Sequence, residues 1–213
     1  MSLESAIETV YKAFSDVEKP LIVDGCPCCM TPEEYETLTA KPLRALTSAE
    51  LSDYASDVML TMGSPDDYRY FLPRILELTI EDDPACLPTA EIAAKKIRMA
   101  GFKEWDEKKQ ASINNLWLAV IRETATSDTD PELLGFRSWD IGTWLGAATL
   151  IPIRVSPLLD ALEGEPDIIR TIYNQNFKTL FQGRLDNAFL EEPNKGQAEI
   201  TSWLRSRVEK TME

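Results

Sequence analysis

Three of the four cysteines in this 213-residue sequence lie in one turn, Cys26-Pro27-Cys28-Cys29, and the fourth is Cys86. Cys26 and Cys29 have the C-x-x-C spacing of redox motifs, and a helix predicted to start near Thr31 would favour a thiolate close to its N-terminus. Redox motifs of the thioredoxin type lie between a strand and a helix, however, and the sequence indicates no parallel sheet.

Three interpretations of this turn therefore stay open. The thiols of Cys26, Cys28 and Cys29 pack the turn as small apolar groups, or they form a redox-active site, or they bind a metal. A four-cysteine zinc site would need the distant Cys86, and two adjacent cysteines would have to reach one ion, which is geometrically unfavourable. We predict a structural thiol cluster without a metal or a cofactor.

The absence of histidine from the whole sequence limits the chemistry further. Histidine is the commonest general base and the commonest zinc ligand, so a Ser-His or Cys-His nucleophilic site cannot be built. The sequence also lacks a phosphate-binding loop, a dinucleotide-binding fingerprint and a zinc-protease motif. We therefore predict that the protein is not an enzyme.

Carboxylates form three short clusters, which are Asp66-Asp67, Glu81-Asp82-Asp83 and Asp128-x-Asp130. None of them has the ligand spacing and the central glycine of an EF-hand loop. Capping accounts for Asp66 and Asp67, because negative charge stabilises the start of a helix. A surface of negative potential is nevertheless sufficient to attract a basic protein. We predict that a partner binds at Asp66, Asp67, Glu81, Asp82 and Asp83.

The charge of the chain is strongly negative and unevenly distributed. It contains 36 acidic and 22 basic residues, for a net charge of −14. Residues 1–90 contain 17 acidic and 6 basic residues, whereas residues 91–213 contain 19 and 16. Such a polyanion is repelled by nucleic acid and anionic lipid and is attracted to basic proteins. The alternative is that the charge serves only solubility.

Apolar residues recur at helical spacing throughout the chain, and strand-like alternation is nearly missing, so the sequence predicts an all-α fold. Helix starts are indicated at Thr31, where Glu34 completes a capping box, at Thr47-Ser48-Ala49-Glu50, where either hydroxyl could cap, and at Ser64-Pro65-Asp66-Asp67. Pro73 falls inside the fourth helical pattern and predicts a kink or a restart there. Because the connections are short, we expect residues 1–213 to form one domain, an irregular multi-helix bundle or an array of antiparallel helix pairs.

No apolar stretch is long enough to span a bilayer, and the N-terminus lacks the basic and apolar regions of a secretory signal. We therefore expect a soluble, cytoplasmic protein that contacts neither membrane nor nucleic acid. Trp105 lies among charged residues and is the tryptophan that we expect to be exposed. The tryptophans on apolar stripes, which we expect in the core, are Trp117, Trp139, Trp144 and Trp203. The third helix is expected to end at Gly63, and one helical face to extend from Ile169 to Phe189.

Several motifs resemble those of a family of uncharacterised bacterial helical proteins. They are Gly25-Cys26-Pro27-Cys28-Cys29, Pro42-Leu43-Arg44-x-Leu46-Thr47, Phe71-Leu72-Pro73-Arg74-Ile75-Leu76-Glu77-Leu78, Gly183-Arg184-Leu185-x-Asn187-Ala188-Phe189 and Trp203-Leu204. Some small acidic proteins of this general kind are encoded beside secreted polymorphic toxins and act as immunity proteins. The resemblance thus implies a helical fold and an inhibitory role.

These observations predict a protein-binding inhibitor, most concretely an immunity protein that neutralises a basic toxin, for example a nuclease, by covering its active site. Carboxylates in the acidic part of the chain would pair with lysine and arginine of the toxin. Two alternatives stay open. The first is a thiol-based redox or zinc protein that uses Cys26, Cys28 and Cys29, and the second is a structural subunit of a helical assembly.

Overall fold

A computed structural model describes residues 1–26, 28, 30–81, 89–127, 130–187, 189–190 and 192–209 of the chain. Across these ranges the protein contains eleven α-helices and three 3₁₀ turns, and no strand. The predicted all-α class is confirmed. Contacts divide the chain into two compact units, Glu4–Ile113 and Met1–Leu3 with Asn114–Glu213, called here the N-terminal and C-terminal units. The single domain over 1–213 stays a prediction.

The N-terminal unit is built from five helices and the first part of a sixth. Their bounds are α1 (Leu3–Ala13), α2 (Pro32–Ala40), α3 (Ser48–Asp57), α4 (Pro65–Ile80), α5 (Ala90–Met99) and α6 (Glu107–Thr126). Two 3₁₀ turns cover Leu43–Ala45 and Phe102–Glu104. α4 packs against α3 and α5, and α2 packs against α3. The largest fully buried side chains of this unit come mainly from α3 and α4, among them Tyr54, Tyr68, Phe71 and Leu72.

Three helices of this unit begin where the sequence predicts, and at the second of them the capping hydroxyl is that of Thr47 rather than Ser48. In each case the hydroxyl of the capping residue accepts a hydrogen bond from the backbone three residues later, and the carboxylate there accepts one from the cap's own N–H. These capping boxes join Thr31 to Glu34, Thr47 to Glu50 and Ser64 to Asp67. They satisfy backbone donors that a helix start otherwise leaves without partners.

Helix α4 continues through Pro73 from Pro65 to Ile80, so the predicted restart does not occur. The proline removes one backbone donor from the helix. Its neighbours Leu72 and Ile75 are completely buried. Burial of one such side chain stabilises a fold by roughly 1.5–3 kcal/mol, so a few of them outweigh the single lost hydrogen bond.

The third helix is shorter than predicted, since it ends at Asp57 rather than at Gly63. Met59 adopts a positive φ of 62°, and its N–H donates to the carbonyl of Met62 at 2.7 Å. The buried Lys96 fixes this tight turn, because its Nζ donates to the Val58 carbonyl at 2.7 Å. The turn at 58–63 therefore replaces the last helical turn that periodicity had predicted.

The C-terminal unit contains the rest of α6 and five further helices. They are α7 (Leu134–Ala148), α8 (Ser156–Asp160), α9 (Pro166–Gln175), α10 (Phe177–Leu180) and α11 (Lys195–Glu209), with a 3₁₀ turn at Pro131–Leu133. α9 packs against both α7 and α11. Trp117 of α6 meets Trp144 of α7 edge to face, with ring centroids 4.9 Å apart. No helix in the described ranges is long and apolar enough to cross a membrane.

The predicted continuous face from Ile169 to Phe189 is wrong, because α9 ends at Gln175. Asn176 breaks the helix and is buried. Its side-chain amide donates to the Ile172 carbonyl at 2.8 Å and accepts from the Asp186 N–H at 2.7 Å. A side chain that bonds both neighbouring segments thus turns the chain where apolar periodicity alone indicated a longer helix.

Candidate functional site

The backbone that leads into the cysteine turn is fixed to the rest of the N-terminal unit. The Gly63 N–H donates to the Asp24 carbonyl at 2.7 Å, and the Cys26 N–H donates to the Thr61 carbonyl at 3.0 Å. The Tyr35 hydroxyl donates to the Cys26 carbonyl at 3.3 Å. Residues 24–26 therefore lie antiparallel to residues 61–63, with a bridge between Gly25 and Met62.

A side chain at position 25 would not fit into this pairing. A Cβ atom added to Gly25 would overlap the Tyr35 hydroxyl and the Met62 Cβ. Because both neighbours belong to the packed unit, the glycine is required for the close approach of the two segments. The pairing of residues 24–26 with residues 61–63 thus determines the position of the segment that precedes Gly25.

Two adjacent apolar side chains project from the protein immediately before the paired residues 24–26. Leu21 is 93% exposed and Ile22 is 75% exposed, whereas the next residue, Val23, is buried. In an extended segment, consecutive side chains point to opposite sides, so a segment that lies flat on a protein buries one of the two. Here neither the Leu21 nor the Ile22 side chain is buried. Exposed apolar surface of this kind is a feature of binding sites.

These residues line an open groove of about 450 Å³. This Leu21 groove is lined by Leu21, Ile22, Val23, Asp24, Gly25, Met30, Pro32, Tyr35, Glu36 and Thr39. Its floor is apolar, since Val23 and Met30 are buried, and two of its lining residues, Asp24 and Glu36, are exposed acids. We define the Leu21 surface as Leu21, Ile22 and this groove.

Leu21 and Ile22 also line a second groove, of about 640 Å³, whose other lining residues are mainly charged. Its acids are Asp16, Glu18, Asp66 and Asp67, and its bases are Lys19, Arg69 and Lys109. The bases are all engaged within the protein. Arg69 pairs with Asp66, Lys109 Nζ lies 2.8 Å from Asp16 and 2.7 Å from Asp106, and Lys19 Nζ donates to the Lys41 carbonyl at 3.0 Å.

The structure places the predicted partner-binding acids at opposite ends of one helix. Asp66 and Asp67 begin α4, and Glu81 caps its C-terminus. Fifteen residues of helix separate Asp66 from Glu81 by about 22 Å, so they do not form one cluster. Asp82 and Asp83 lie outside the described residues. The carboxylate of Asp67 is held by the Ser64 N–H at 2.7 Å, which leaves Asp66, with a side chain 77% exposed, as the more accessible of the pair.

The structure describes two of the three predicted cluster thiols. The sulfur atoms of Cys26 and Cys28 lie 3.1 Å apart, and Cys28 is exposed. Cys29 and Cys86 lie outside the described residues. Among the residues that the structure does describe, no group of three or more histidine, cysteine or acidic side chains is arranged to hold a metal ion.

A network of partly buried hydrogen bonds joins two of the motifs that carry the family resemblance. The Tyr11 hydroxyl donates to Glu77 Oε2 at 2.5 Å, and Arg74 Nη1 donates to the same oxygen at 2.6 Å. Arg74 Nε also donates to the Leu46 carbonyl at 2.8 Å. The guanidinium of Arg44 stacks on the Tyr11 ring at 3.7 Å.

Tyr11, Arg74 and Glu77 are residue types that occur in acid–base catalysis, but here their contacts have a structural role. Burial, followed by the hydrogen bond to Glu77, raises the pKa of the Tyr11 hydroxyl, so Tyr11 stays a protonated donor. Glu77 is already bonded by both Tyr11 and Arg74. The network fastens α1, the 3₁₀ turn at Leu43–Ala45 and α4 to one another, and this accounts for the motif residues Arg44, Arg74 and Glu77.

Two predictions about tryptophan were wrong. Trp105, expected to be exposed, is buried, and its indole N–H donates to the Ala100 carbonyl at 2.9 Å. Its ring meets Phe14 and Phe102 edge to face, each at 5.3 Å. Trp139, expected in the core, is 61% exposed. Helix α7 is apolar on most of its sides, so the spacing of its residues did not indicate which face is buried.

Exposed aromatic side chains are a feature of the C-terminal unit that the sequence did not reveal. Phe136, Trp139, Phe177 and Phe181 are all more than half exposed. The Gln175 side chain donates to the Gly135 carbonyl at 3.2 Å, which brings the end of α9 to the start of α7. The guanidinium of Arg205 lies over the Phe181 ring at 4.6 Å.

Comparisons with models of known protein families, with curated proteins and with solved structures find no match for this chain. The resemblance noted in the sequence therefore stays a prediction. The observations from which a function follows are the geometry of the Leu21 surface and the charge of the chain.

Proposed function

We propose that the protein binds a basic protein partner through the Leu21 surface. The observation that carries this proposal is the exposure of Leu21 and Ile22, 93% and 75%, on a backbone fixed immediately afterwards at residues 24–26. Exposing two such side chains forgoes roughly 1.5–3 kcal/mol of burial each. A partner that covers them regains this free energy without first having to order the segment.

The chemistry of the groove supports a partner rich in lysine or arginine. These side chains have an apolar stem and a charged head, so they cover apolar surface and end at a polar rim. In the Leu21 groove, Met30 and Tyr35 offer the apolar contact, and Asp24 and Glu36 are carboxylates that can receive the head group. The net charge of −14 attracts a basic protein from a distance and speeds its association.

A stoichiometric inhibitor is the most concrete form of this proposal. The partner would be a basic toxin domain such as a nuclease, and the protein would neutralise it as an immunity protein by covering its active site. The acidic character of residues 1–90 and the resemblance of several motifs to bacterial helical proteins support this form. Asp66 and Asp67, two of the predicted partner-binding acids, line the second groove together with Leu21 and Ile22.

Site-specific photo-crosslinking in the native host tests the proposal. A photoreactive phenylalanine analogue replaces Leu21 and, as a matched control, Phe136, which is 76% exposed in the other unit. We expect one dominant adduct at position 21, formed with a protein of basic isoelectric point, and no such adduct at position 136. Equal yields at both positions, or an acidic crosslinked protein, would contradict the proposal.

The gene beside the one that encodes this chain supplies the direct test of the inhibitor form. If that gene encodes a toxin, co-production with this protein should protect cells, and the Leu21→Asp variant should protect them less. Association should also slow markedly as ionic strength rises, because salt screens exposed charge. An association rate that does not depend on salt would contradict the electrostatic part of the proposal.

A further inference from the structure

The spacing of the two described thiols supports one of the chemistries that the sequence left open. Two sulfur ligands of a tetrahedral zinc ion, each about 2.3 Å from the metal, lie roughly 3.8 Å apart. A disulfide requires about 2.05 Å. The sulfur atoms of Cys26 and Cys28 are 3.1 Å apart, which is shorter than the spacing of two zinc ligands and about 1 Å longer than a disulfide bond.

From this contact we propose that Cys26 and Cys28 form a reversible dithiol–disulfide pair that exchanges with positively charged disulfides. The site goes beyond the proposed binding function and does not depend on it. Two further features of the turn support it, and they concern the different accessibility of the two thiols and the charge around them.

The two cysteines are held differently. Cys26 is partly buried, and its backbone is fixed by hydrogen bonds with Thr61 and Tyr35. Cys28 is exposed. Since attack on an external disulfide requires access, Cys28 is the entry thiol. Cys26, held 3.1 Å away, is the resolving thiol.

The exchange proceeds in two balanced steps. The Cys28 thiolate attacks one sulfur of an external disulfide, so that a mixed disulfide forms, the external sulfur–sulfur bond breaks, and one thiolate leaves. The Cys26 thiolate then attacks the Cys28 sulfur and expels the second thiolate. The protein loses two electrons and two protons overall, and the external disulfide gains them and becomes two thiols.

Charge around the turn determines the class of disulfide. Exposed acids flank it on both sides, with Asp24 before Cys26 and Glu33, Glu34 and Glu36 in the helix that follows. The backbone N–H of Thr31 lowers the pKa of the Glu34 carboxyl, so this residue stays ionised. Such surroundings attract a cationic disulfide such as cystamine and repel the anionic glutathione disulfide.

Peptide mass measurement on full-length variants tests the assignment. Trypsin should release residues 13–44 as one peptide, because Lys19 and Lys41 are each followed by proline, and its only cysteines are 26, 28 and 29. In Cys29→Ser, treatment with cystamine should remove two hydrogens from this peptide. The control Cys26→Ser/Cys29→Ser retains Cys28 alone in this peptide and should stop at a mixed disulfide.

The result that overturns the pair is a Cys29→Ser protein that stops at the mixed disulfide. The wild-type chain provides a second measurement that requires no substitution. Its peptide 13–44 should lose two hydrogens and keep one thiol that can be alkylated. Retention of all three thiols there would also overturn the assignment.

Reaction rates test the class of disulfide. At low salt, closure with cystamine should be at least about tenfold faster than closure with glutathione disulfide, and the ratio should shrink at high salt. Equal rates at low salt would show that the surrounding acids do not select the disulfide. A failure of the cross-linking experiment at Leu21 would leave this result unaffected, because no binding partner takes part in it.

Discussion

Replacement of Tyr11 by phenylalanine tests whether the motif network is structural. The change removes a hydroxyl that donates to Glu77 Oε2 at 2.5 Å and leaves the ring under the Arg44 guanidinium. A hydrogen bond to a charged group contributes roughly 1.5–3 kcal/mol. Glu77 keeps its bond from Arg74, and Tyr11 is only partly buried, so we expect a loss of about 1–2 kcal/mol.

Scanning calorimetry measures this loss. For a chain of this length, about 1–2 kcal/mol corresponds to a decrease in melting temperature of roughly 2–8 °C. The matched control is Glu8→Gln, which breaks the ion pair of Glu8 with Arg44 where both side chains are about half exposed, and it should cost less than about 1 kcal/mol. A Tyr11→Phe protein that melts at or above the wild-type temperature would refute the structural account.

Three further predictions concern other parts of the fold. Trp139→Phe should remove the tryptophan emission that acrylamide quenches most readily, because this side chain is 61% exposed. The side chain of Lys109, and then its backbone N–H, lower the pKa of the Asp106 carboxyl. The stability that this pair contributes is therefore present above the usual pKa of the carboxyl and is lost as the pH falls through the lowered pKa. Acid unfolding should accordingly be steeper in the wild type than in Asp106→Asn. Lys96→Met should reduce the free energy of unfolding in urea by about 1–3 kcal/mol, because the carbonyl of Val58 loses its buried donor.

Local features of the fold were predictable, because local chemistry determines them. The helix starts at Thr31, Thr47 and Ser64 follow from a hydroxyl and an acid three residues apart, and this pattern needs no tertiary information. The break at Asn176 was not predictable, because its side-chain oxygen accepts a hydrogen bond from the backbone N–H of Asp186, ten residues away. The same holds for Trp105, whose burial depends on Phe14, far away in the sequence.

For the candidate site, the sequence analysis indicated acidic residues but did not identify its exposed apolar residues. The sequence correctly indicated that Asp66 and Asp67 begin a helix, but Asp67 is used by its cap, and Glu81 lies at the other end of the same helix. Leu21-Ile22-Val23 is too short an apolar stretch to be assigned from the sequence alone. The residues that follow it pair with residues 61–63, a tertiary contact that no local pattern indicates.

The affinity of the Leu21→Ala variant for the partner crosslinked at position 21 tests the central claim most directly. The substitution removes three carbon atoms from a side chain that is 93% exposed in the unbound protein. At about 0.8 kcal/mol for each buried carbon, complete burial in the complex corresponds to roughly 2.4 kcal/mol, or an approximately fiftyfold increase in Kd. We predict this increase with an unchanged melting temperature, and no comparable effect of Phe136→Ala. A Kd for Leu21→Ala within about twofold of the wild-type value would contradict the assignment of the Leu21 surface as the binding site.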